Sequence, residues 1–428
     1  MKKMLAPLAC LAGVLALGSC APAAPPVANT NANTDASNAN AANANAASST
    51  TTTTAAKKAP TDLEQLAGRL VTQSAGVKEG EVVLVTGGPQ DLELLEDIAV
   101  QVRKAGAFPL VSVSTDRMAK RMYVDVPEKY DTQTSALGLK LAEMVNAEID
   151  VDSGLTEGLF AEADPKRMEA RGKAGEPIVD AFIKHNVRTV EVGNGLYPTD
   201  WLAKRYGMAG DELTKTFWEG VNVDYNELQT RGEQVKTALA SGNEIHITDS
   251  NGTDLKVRVQ GRPYGVSDGI ISPEDAKAGP AGRNVYLPAG EVYVTPVAGT
   301  AEGKVVRAKD YFEGKEINNL TLMFSAGKLT GMTGTGPGFD LLKARYDAAG
   351  DGKDLFAVVD FGINPNVKLP ASSAIATWVP AGTVTIGVGN NVWAGGDNKT
   401  PYGYFVSLPG TTVTLDDKPV VEAGQLKL

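Results

Sequence analysis

Residues 81–113 constrain the fold more tightly than any other stretch. Glu81-Val82-Val83-Leu84-Val85 is an apolar run of strand length, and Gly87-Gly88-Pro89 punctuates it. A helix then runs to about residue 104, with Leu92, Leu94, Leu95, Ile98 and Val102 on its apolar side; Phe108 to Val113 is the next strand. Strand, helix and strand in that order predict a parallel sheet with helices on its faces. Upstream, Thr61-Asp62-Leu63-Glu64 matches a capping box and opens an amphipathic helix carrying Leu63, Leu66, Leu70 and Val71. Helices are expected over much of 134–146, 164–185 and 210–240, with a strand at Thr189 to Val192 and a break in the second helix at Gly175 and Pro177. Thr86-Gly87-Gly88 follows a strand, but neither the dinucleotide fingerprint nor the P-loop pattern is present, so a plain turn is expected.

Beyond residue 240 the texture becomes β-rich. Glu244 to Thr248 and Leu255 to Val259 flank Ser250-Asn251-Gly252, whose Asn-Gly pair supplies the positive φ angles of a hairpin turn. Later strands are expected at 291–295, 304–309, 319–325, 355–361, 382–388 and 402–407, with a glycine-punctuated turn at Gly334 to Gly338. The fold class is therefore an α/β N-terminal domain (a parallel sheet flanked by helices) over 61–240, and a mixed, largely β C-terminal domain over 241–428.

The 428 residues are 43% hydrophobic, enough for a large core. A net charge of −10 excludes the basic face that nucleic-acid binding requires, and a broad charge-driven attachment to anionic lipid. Lys2 and Lys3 precede an almost wholly apolar or small run from Met4 to Gly18, a signal-peptide layout over residues 1–19. Leu17-Gly18-Ser19-Cys20 resembles the lipobox of bacterial lipoproteins, which implies lipidation of Cys20. An ordinary secretory signal with an incidental cysteine is the alternative. Ala21 in place of aspartate resembles the outer-membrane pattern of a diderm envelope. Cys10 falls within the signal, so Cys20 would be the mature chain's single cysteine, leaving no internal disulfide and no thiolate metal site. Residues 20–60 continue as Ala, Asn, Thr, Ser and Pro, a composition expected to form a disordered tether. Contact with the membrane is then through the lipid anchor only.

Gly252-Thr253-Asp254-Leu255 and, further on, Asn284-Val285-Tyr286-Leu287-Pro288-Ala289-Gly290-Glu291-Val292-Tyr293-Val294-Thr295-Pro296 carry a resemblance. With Gly76 to Glu81, Gly314 to Gly327, Gly362-Ile363-Asn364-Pro365, Gly382-Thr383 and the Gly395 to Thr400 anchors, they resemble the thermophilic metallo-aminopeptidases of the aminopeptidase T and aminopeptidase S family. The resemblance covers about 61–428 and implies a two-metal exopeptidase acting on peptides, and a homodimer. Two cations a few Å apart would polarise the scissile carbonyl and generate hydroxide, held by imidazole together with carboxylate.

The transfer of that ligand set is incomplete. Glu291 falls on the family's first glutamate ligand, and Asp360 on or beside the second. The shorter arm withdraws that carboxylate by about 1.5 Å. Thr385 stands at the family's histidine, and Gly403 and Phe405 stand at its terminal His-x-Asp. A register shift of one offers Tyr402 or Tyr404 instead. The chain has two histidines, His185 and His246, and none in 247–428, so three of five expected ligands are absent. His246 on its strand reads as structural or exposed, and Asp249 and Asp397 are further carboxylates with nothing to bring them in.

Three functions follow. The chain is a lipoprotein of this family with a degenerate site and lost or impaired activity; or an active aminopeptidase with a rearranged site that draws on His185 or His246; or a non-catalytic peptide-binding or structural envelope lipoprotein. The cofactor is a divalent metal (Zn, Co, Mn or Mg) or none, and an oxygen-only set favours Mg²⁺, Ca²⁺ or Mn²⁺.

Overall fold

The computed structural model describes residues 61–428, apart from positions 157, 161, 371–372 and 374–376. The signal segment, Cys20 and the expected tether lie outside the described residues. Helix α1 (Leu63–Arg69) leads to strand β1 (Val82–Gly87), helix α2 (Leu92–Lys104) and strand β2 (Phe108–Val113), and the two strands pair in parallel as their order predicts. The cap of α1 is Asp62 rather than Thr61: its carboxylate accepts from the Gln65 amide at 2.9 Å. A carboxylate there also meets the positive end of the helix dipole.

Helices α3 (Asp116–Val124), α4 (Ala136–Met144) and α5 (Pro165–Lys184) alternate with β3 (Ala147–Val151), and β4 (Arg188–Val192) follows. With β8 (Asn284–Leu287) they complete a parallel sheet in the order β2-β1-β3-β4-β8. Residues 284–287 lie well past 240, so the C-terminal half contributes a strand to the N-terminal sheet. One face, with Val83, Val85, Ile149, Val190 and Val192, joins the principal core alongside Leu66, Leu70, Leu95 and Ile98 of α1 and its extension and of α2. On the other face Leu84 packs with Ala142, Val145, Ile178 and Phe182 from the α4 and α5 layer.

Pro177 does not break α5, which runs unbroken to Lys184. Both Pro177 and Lys173, whose carbonyl loses its helical donor, lie on the exposed side of the helix, where the lost bond costs least. The expected helix over 210–240 divides into α7 (Gly210–Val221) and α8 (Tyr225–Ala240), after a short α6 (Asp200–Tyr206). Asp224 makes the division by capping α8, accepting from the Asn226 and Glu227 amides.

The antiparallel part has two sheets. The larger contains β5 (Glu244–Thr248), β6 (Asp254–Arg258), β10 (Glu302–Phe312), β11 (Lys315–Ser325), β12 (Lys328–Thr335), β16 (Thr412–Leu415), β17 (Lys418–Glu422) and β18 (Gln425–Leu426), ordered β12-β11-β10-β6-β5-β16-β17-β18. The smaller contains β7 (Tyr264–Ser267), β9 (Glu291–Val294), β13 (Phe356–Gly362), β14 (Val384–Gly389) and β15 (Gly403–Leu408), ordered β15-β14-β13-β9-β7. A short α9 (Pro273–Lys277) precedes β8, and α10 (Pro337–Ala348) starts directly at the Gly334 to Gly338 segment, where only a turn was expected. Edge-to-face pairs Phe324–Phe356 and Phe312–Tyr404 join the two antiparallel sheets. Helix α8 also lies against the smaller sheet, with Gly232 so close to Val266 that a Cβ would sit 2.5 Å from its Cγ1. Among the described residues no helix is long and apolar enough to cross a membrane.

Candidate functional site

Glu291 is delivered by a joint between the parallel sheet and the smaller antiparallel sheet. Strand β8 ends at Leu287, and Pro288-Ala289-Gly290 carries the chain into β9. Gly290 has φ +133 and passes so near Asn364 that a Cβ would lie 2.6 Å from the asparagine Cβ, which only glycine permits. Asn364 is fully buried and uses its amide as a clamp. Its Nδ2 donates to the Ala289 carbonyl at 2.6 Å and to the Gly220 carbonyl of α7 at 3.1 Å, while its Oδ1 accepts from the Asn366 amide. The Ile363 amide donates to the Gly290 carbonyl at 2.9 Å. The Gly-Glu and Gly-Ile-Asn-Pro segments are thus two halves of one joint. Asn194, after β4, donates from Nδ2 to the Pro288 carbonyl at 2.8 Å and holds the other side.

Register then fixes who shares a face with Glu291. Asp360 is opposite Tyr293 on one side and Thr385 on the other, and Thr385 is opposite Ser407. Ser407, Thr385, Asp360 and Tyr293 therefore form one row across four strands, with opposed Cβ atoms about 4.5–5.5 Å apart. Glu291 is two residues before Tyr293 and opposite Gly362, so it occupies the next row, diagonal to Asp360. Phe405 is opposite Gly387, and Gly403 opposite Gly389, one and two rows the other way. All five positions named from the resemblance lie on a single face. Tyr402 and Tyr404, the register-shifted alternatives, have opposite parity: they are buried against Tyr346 and Phe312, on the side toward the larger sheet.

The company on this face is aromatic and hydroxylic. Thr385 Oγ1 and Ser407 Oγ lie 3.1 Å apart and bond each other. The Phe405 ring lies over Gly387, where a Cβ would fall 2.7 Å from it. Trp393 packs at a tilt between Tyr293 and Phe405, with centroids 5.3 and 6.0 Å away. Thr295 donates to the Ala394 carbonyl at 2.8 Å and holds the Val392–Ala394 turn against the sheet. Glu291 and Asp360 are both buried. Burial pushes the Tyr293 phenol up, and the charges of Glu291 and Asp360 add to that. The Tyr286 phenol is pushed up in the same way by burial, then by Glu191 and Glu291. Tyrosine hydroxyls therefore stay protonated beside these carboxylates.

Neither histidine joins them. His185 caps the C-terminus of α5, and His246 lies in the larger sheet with Nε2 2.7 Å from Asp254 Oδ1. Asp249 accepts from the Asn251 amide in the β5–β6 turn, and Asp397 is exposed. Among the described residues no three His, Cys, Asp or Glu side chains are grouped to hold a metal ion. Sequence reasoning named the acids of this face but not Tyr293, Trp393 or Ser407. Period-two spacing from Glu291 to Tyr293 and from Phe405 to Ser407 carried that information for Tyr293 and Ser407, while Trp393 comes from the Val392–Ala394 turn.

Three comparisons bear on what the chain is similar to. The family model described as thermophilic metalloprotease (M29) matches residues 59–347, a stretch that contains Glu291 and ends before Asp360. Among solved structures, wild-type AmpT from Thermus thermophilus is similar at 16% identity and TM-score 0.62, over 86% of this chain and 99% of that one. The 2,5-dihydroxypyridine dioxygenase from Pseudomonas putida KT2440 is similar at 15% identity and TM-score 0.56, over 86% and 97%. Both likenesses speak for the fold alone, since one fold carries different chemistries. No curated protein matches the sequence.

Proposed function

The chain belongs to the thermophilic metalloprotease family, M29, and from that premise we propose that it is a lipid-anchored envelope member whose two-metal centre is degraded and whose aminopeptidase activity is lost or strongly reduced. Family membership brings divalent-metal dependence and peptide substrates as the ancestral chemistry. One observation carries the reading of this chain: on the face of Glu291 and Asp360, the three positions where the resemblance expects further ligands hold Thr385, Gly403 and Phe405. The first is already bonded to Ser407, the second has no side chain, and the third is a ring packed on Gly387.

The donor set does not fit a two-cation centre. Two buried carboxylates without imidazole supply too few donors for two cations that must also keep open positions for water and substrate. An active enzyme that borrowed histidine would need His246 or His185 at this face, and both belong to other elements. A peptide-contacting role without catalysis is the second reading, favoured by the half-buried rings of Tyr293, Trp393 and Phe405 beside two acids.

Metal content of the purified protein tests the central part. We expect well under one equivalent of Zn, Co or Mn after dialysis against a weak chelator; two tightly held equivalents would overturn it. The anchor rests on Leu17-Gly18-Ser19-Cys20 after the apolar run. Cys20→Ala should move the protein from the membrane fraction to the soluble one. Retention in the membrane by that variant would remove the lipid from the proposal.

A further inference from the structure

The two register-shifted tyrosines, Tyr402 and Tyr404, face away from Glu291 and Asp360, and on their own side they meet other polar groups. Tyr404 is 5% exposed and Tyr402 8%, and among the described residues neither phenol has a hydrogen-bond partner. Strand β10 of the larger sheet stands opposite, with the Phe312 ring edge-to-face on Tyr404 at 5.8 Å between centroids. Regular alternation along β10 would send Arg307 and Asp310 to opposite faces. Both turn inward instead, Arg307 beside buried Leu320 and Asp310 beside buried Ile317. The β10–β11 ladder kinks between these two pairs, where Asn319 takes φ +54.

Asp310 is 6% exposed, and the Tyr311 amide donates to its Oδ1 at 2.8 Å. The Nε of Arg307 is buried and, among the described residues, donates to nothing. Burial pushes the Tyr404 phenol up, Asp310 and Tyr402 add to that, and Arg307 opposes it, so all three lie within electrostatic reach of its hydroxyl. Helix α10 closes over one end. Tyr346 packs edge-to-face on Tyr402 at 5.7 Å, and the Arg345 guanidinium lies 5.4 Å from the Phe312 ring centre while pairing with Glu313.

Donors and acceptors buried in this way have given up solvent, and the loss is offset only by a new partner. A guanidinium disfavours a cation here, and a carboxyl disfavours an anion. What fits is a neutral molecule that both donates and accepts. The rings of Phe312 and Tyr404 already occupy much of the roughly 10 Å between packed sheets, which favours the smallest such molecule. We infer that Tyr402, Tyr404, Asp310 and Arg307 bind one internal water between the two antiparallel sheets. The water accepts from Arg307 Nε–H and from one phenol, and donates to Asp310 and to the oxygen of the other phenol. That uses all four of its hydrogen-bonding positions. It ties β10 to β15, whose opposite face carries Phe405 and Ser407. The site is independent of how Glu291 and Asp360 are read.

A crystal structure of the full chain at a resolution that places waters tests this, together with thermal melts of Tyr404→Phe. We expect a water within hydrogen-bond distance of Tyr404 Oη and of at least two of the other three groups. Tyr404→Phe keeps the ring and removes only the hydroxyl, so its melting temperature should fall by about 1–3 °C as a bonded group is lost. A phenol without a partner would give the opposite sign, because its removal relieves a buried, unmatched hydroxyl. No water at this place overturns the proposal, as does a direct bond between Tyr404 and Asp310, or an ion or buffer molecule bound there instead. So does a Tyr404→Phe chain that melts at or above the wild-type temperature.

Discussion

Two sheets of this molecule bury more than one carboxylate each, and only one of those two sets carries the resemblance to a metal site. In the parallel sheet, Asp150 lies between Thr86 and Glu191, Glu191 is beside Tyr286, and Glu148 sits one row below, beside Thr189. All three acids are buried. In the smaller antiparallel sheet the buried acids are two, Glu291 and Asp360. The parallel sheet is thus the richer in carboxylates, yet among the described residues neither set forms a metal-holding group. Counting acids does not find a metal centre. What distinguishes one is the mixture of donors, the open coordination positions and the groups that aim them.

The two sets also solve burial differently. The Thr86 hydroxyl donates to Asp150, and the Asn194 amide donates to Glu191 at 3.2 Å. Glu148 has no hydrogen-bond partner among the described residues, and burial, with Asp150 and Glu191 adding, pushes its carboxyl well above the usual range. Burial thus favours its neutral acid form. On the antiparallel face the solution is company: phenol, hydroxyls and rings packed around Glu291 and Asp360.

Breaking the joint should give the largest effect. Asn364→Ala strips the Ala289 and Gly220 carbonyls of their donor, and about 3 kcal/mol should be lost in urea unfolding. A loss under about 1 kcal/mol would mean that this joint does not fix Glu291. Phe405→Ala should cost about 2–3 kcal/mol, less than a fully buried phenylalanine because the ring is half-buried. An unchanged stability would show that the ring does not fill the face, and the contrast between the two sheets would weaken.

Glu148→Gln sharpens the other side. The folded state holds the Glu148 proton more tightly than the unfolded state, whose carboxyl keeps the ordinary value of 4.5. Wild-type stability therefore falls as pH rises from 4.5 toward the folded value. The variant, which cannot ionise, should gain in stability relative to wild type as pH rises from about 4.5 to 8 and show no such gain near pH 4. The opposite slope would mean that Glu148 is ionised and paired. Thr385→Val, removing one hydroxyl of the Thr385–Ser407 pair, should cost about 1 kcal/mol and leave metal content unchanged. A change in bound metal would make Thr385 a ligand after all.

Much of the architecture was legible where local pattern and tertiary role agreed. The apolar run at Val82 to Val85, the Asn251-Gly252 turn and the later strands carry their own periodicity or punctuation. Strand β3 does not: Ala147-Glu148-Ile149-Asp150-Val151 reads as a half-exposed edge, because two of its residues are carboxylates buried by the fold rather than by hydropathy. Helix α10 hides behind its glycine-rich opening, and Pro177 signals a break that solvent exposure makes unnecessary. At the candidate site, glycine and proline anchors gave the positions of Glu291 and Asp360. Their shared face needed the strand register, and the packing of Trp393 over it comes from a turn that no periodicity announces.

Aminopeptidase turnover tests the central claim most directly. Leucyl-p-nitroanilide hydrolysis would be followed with Co²⁺, Zn²⁺ or Mn²⁺ present, for wild type and Glu291→Ala side by side. The account predicts rates at background for both, with folding intact. Metal-dependent turnover in wild type that vanishes in Glu291→Ala would contradict it, and would make this face a working centre.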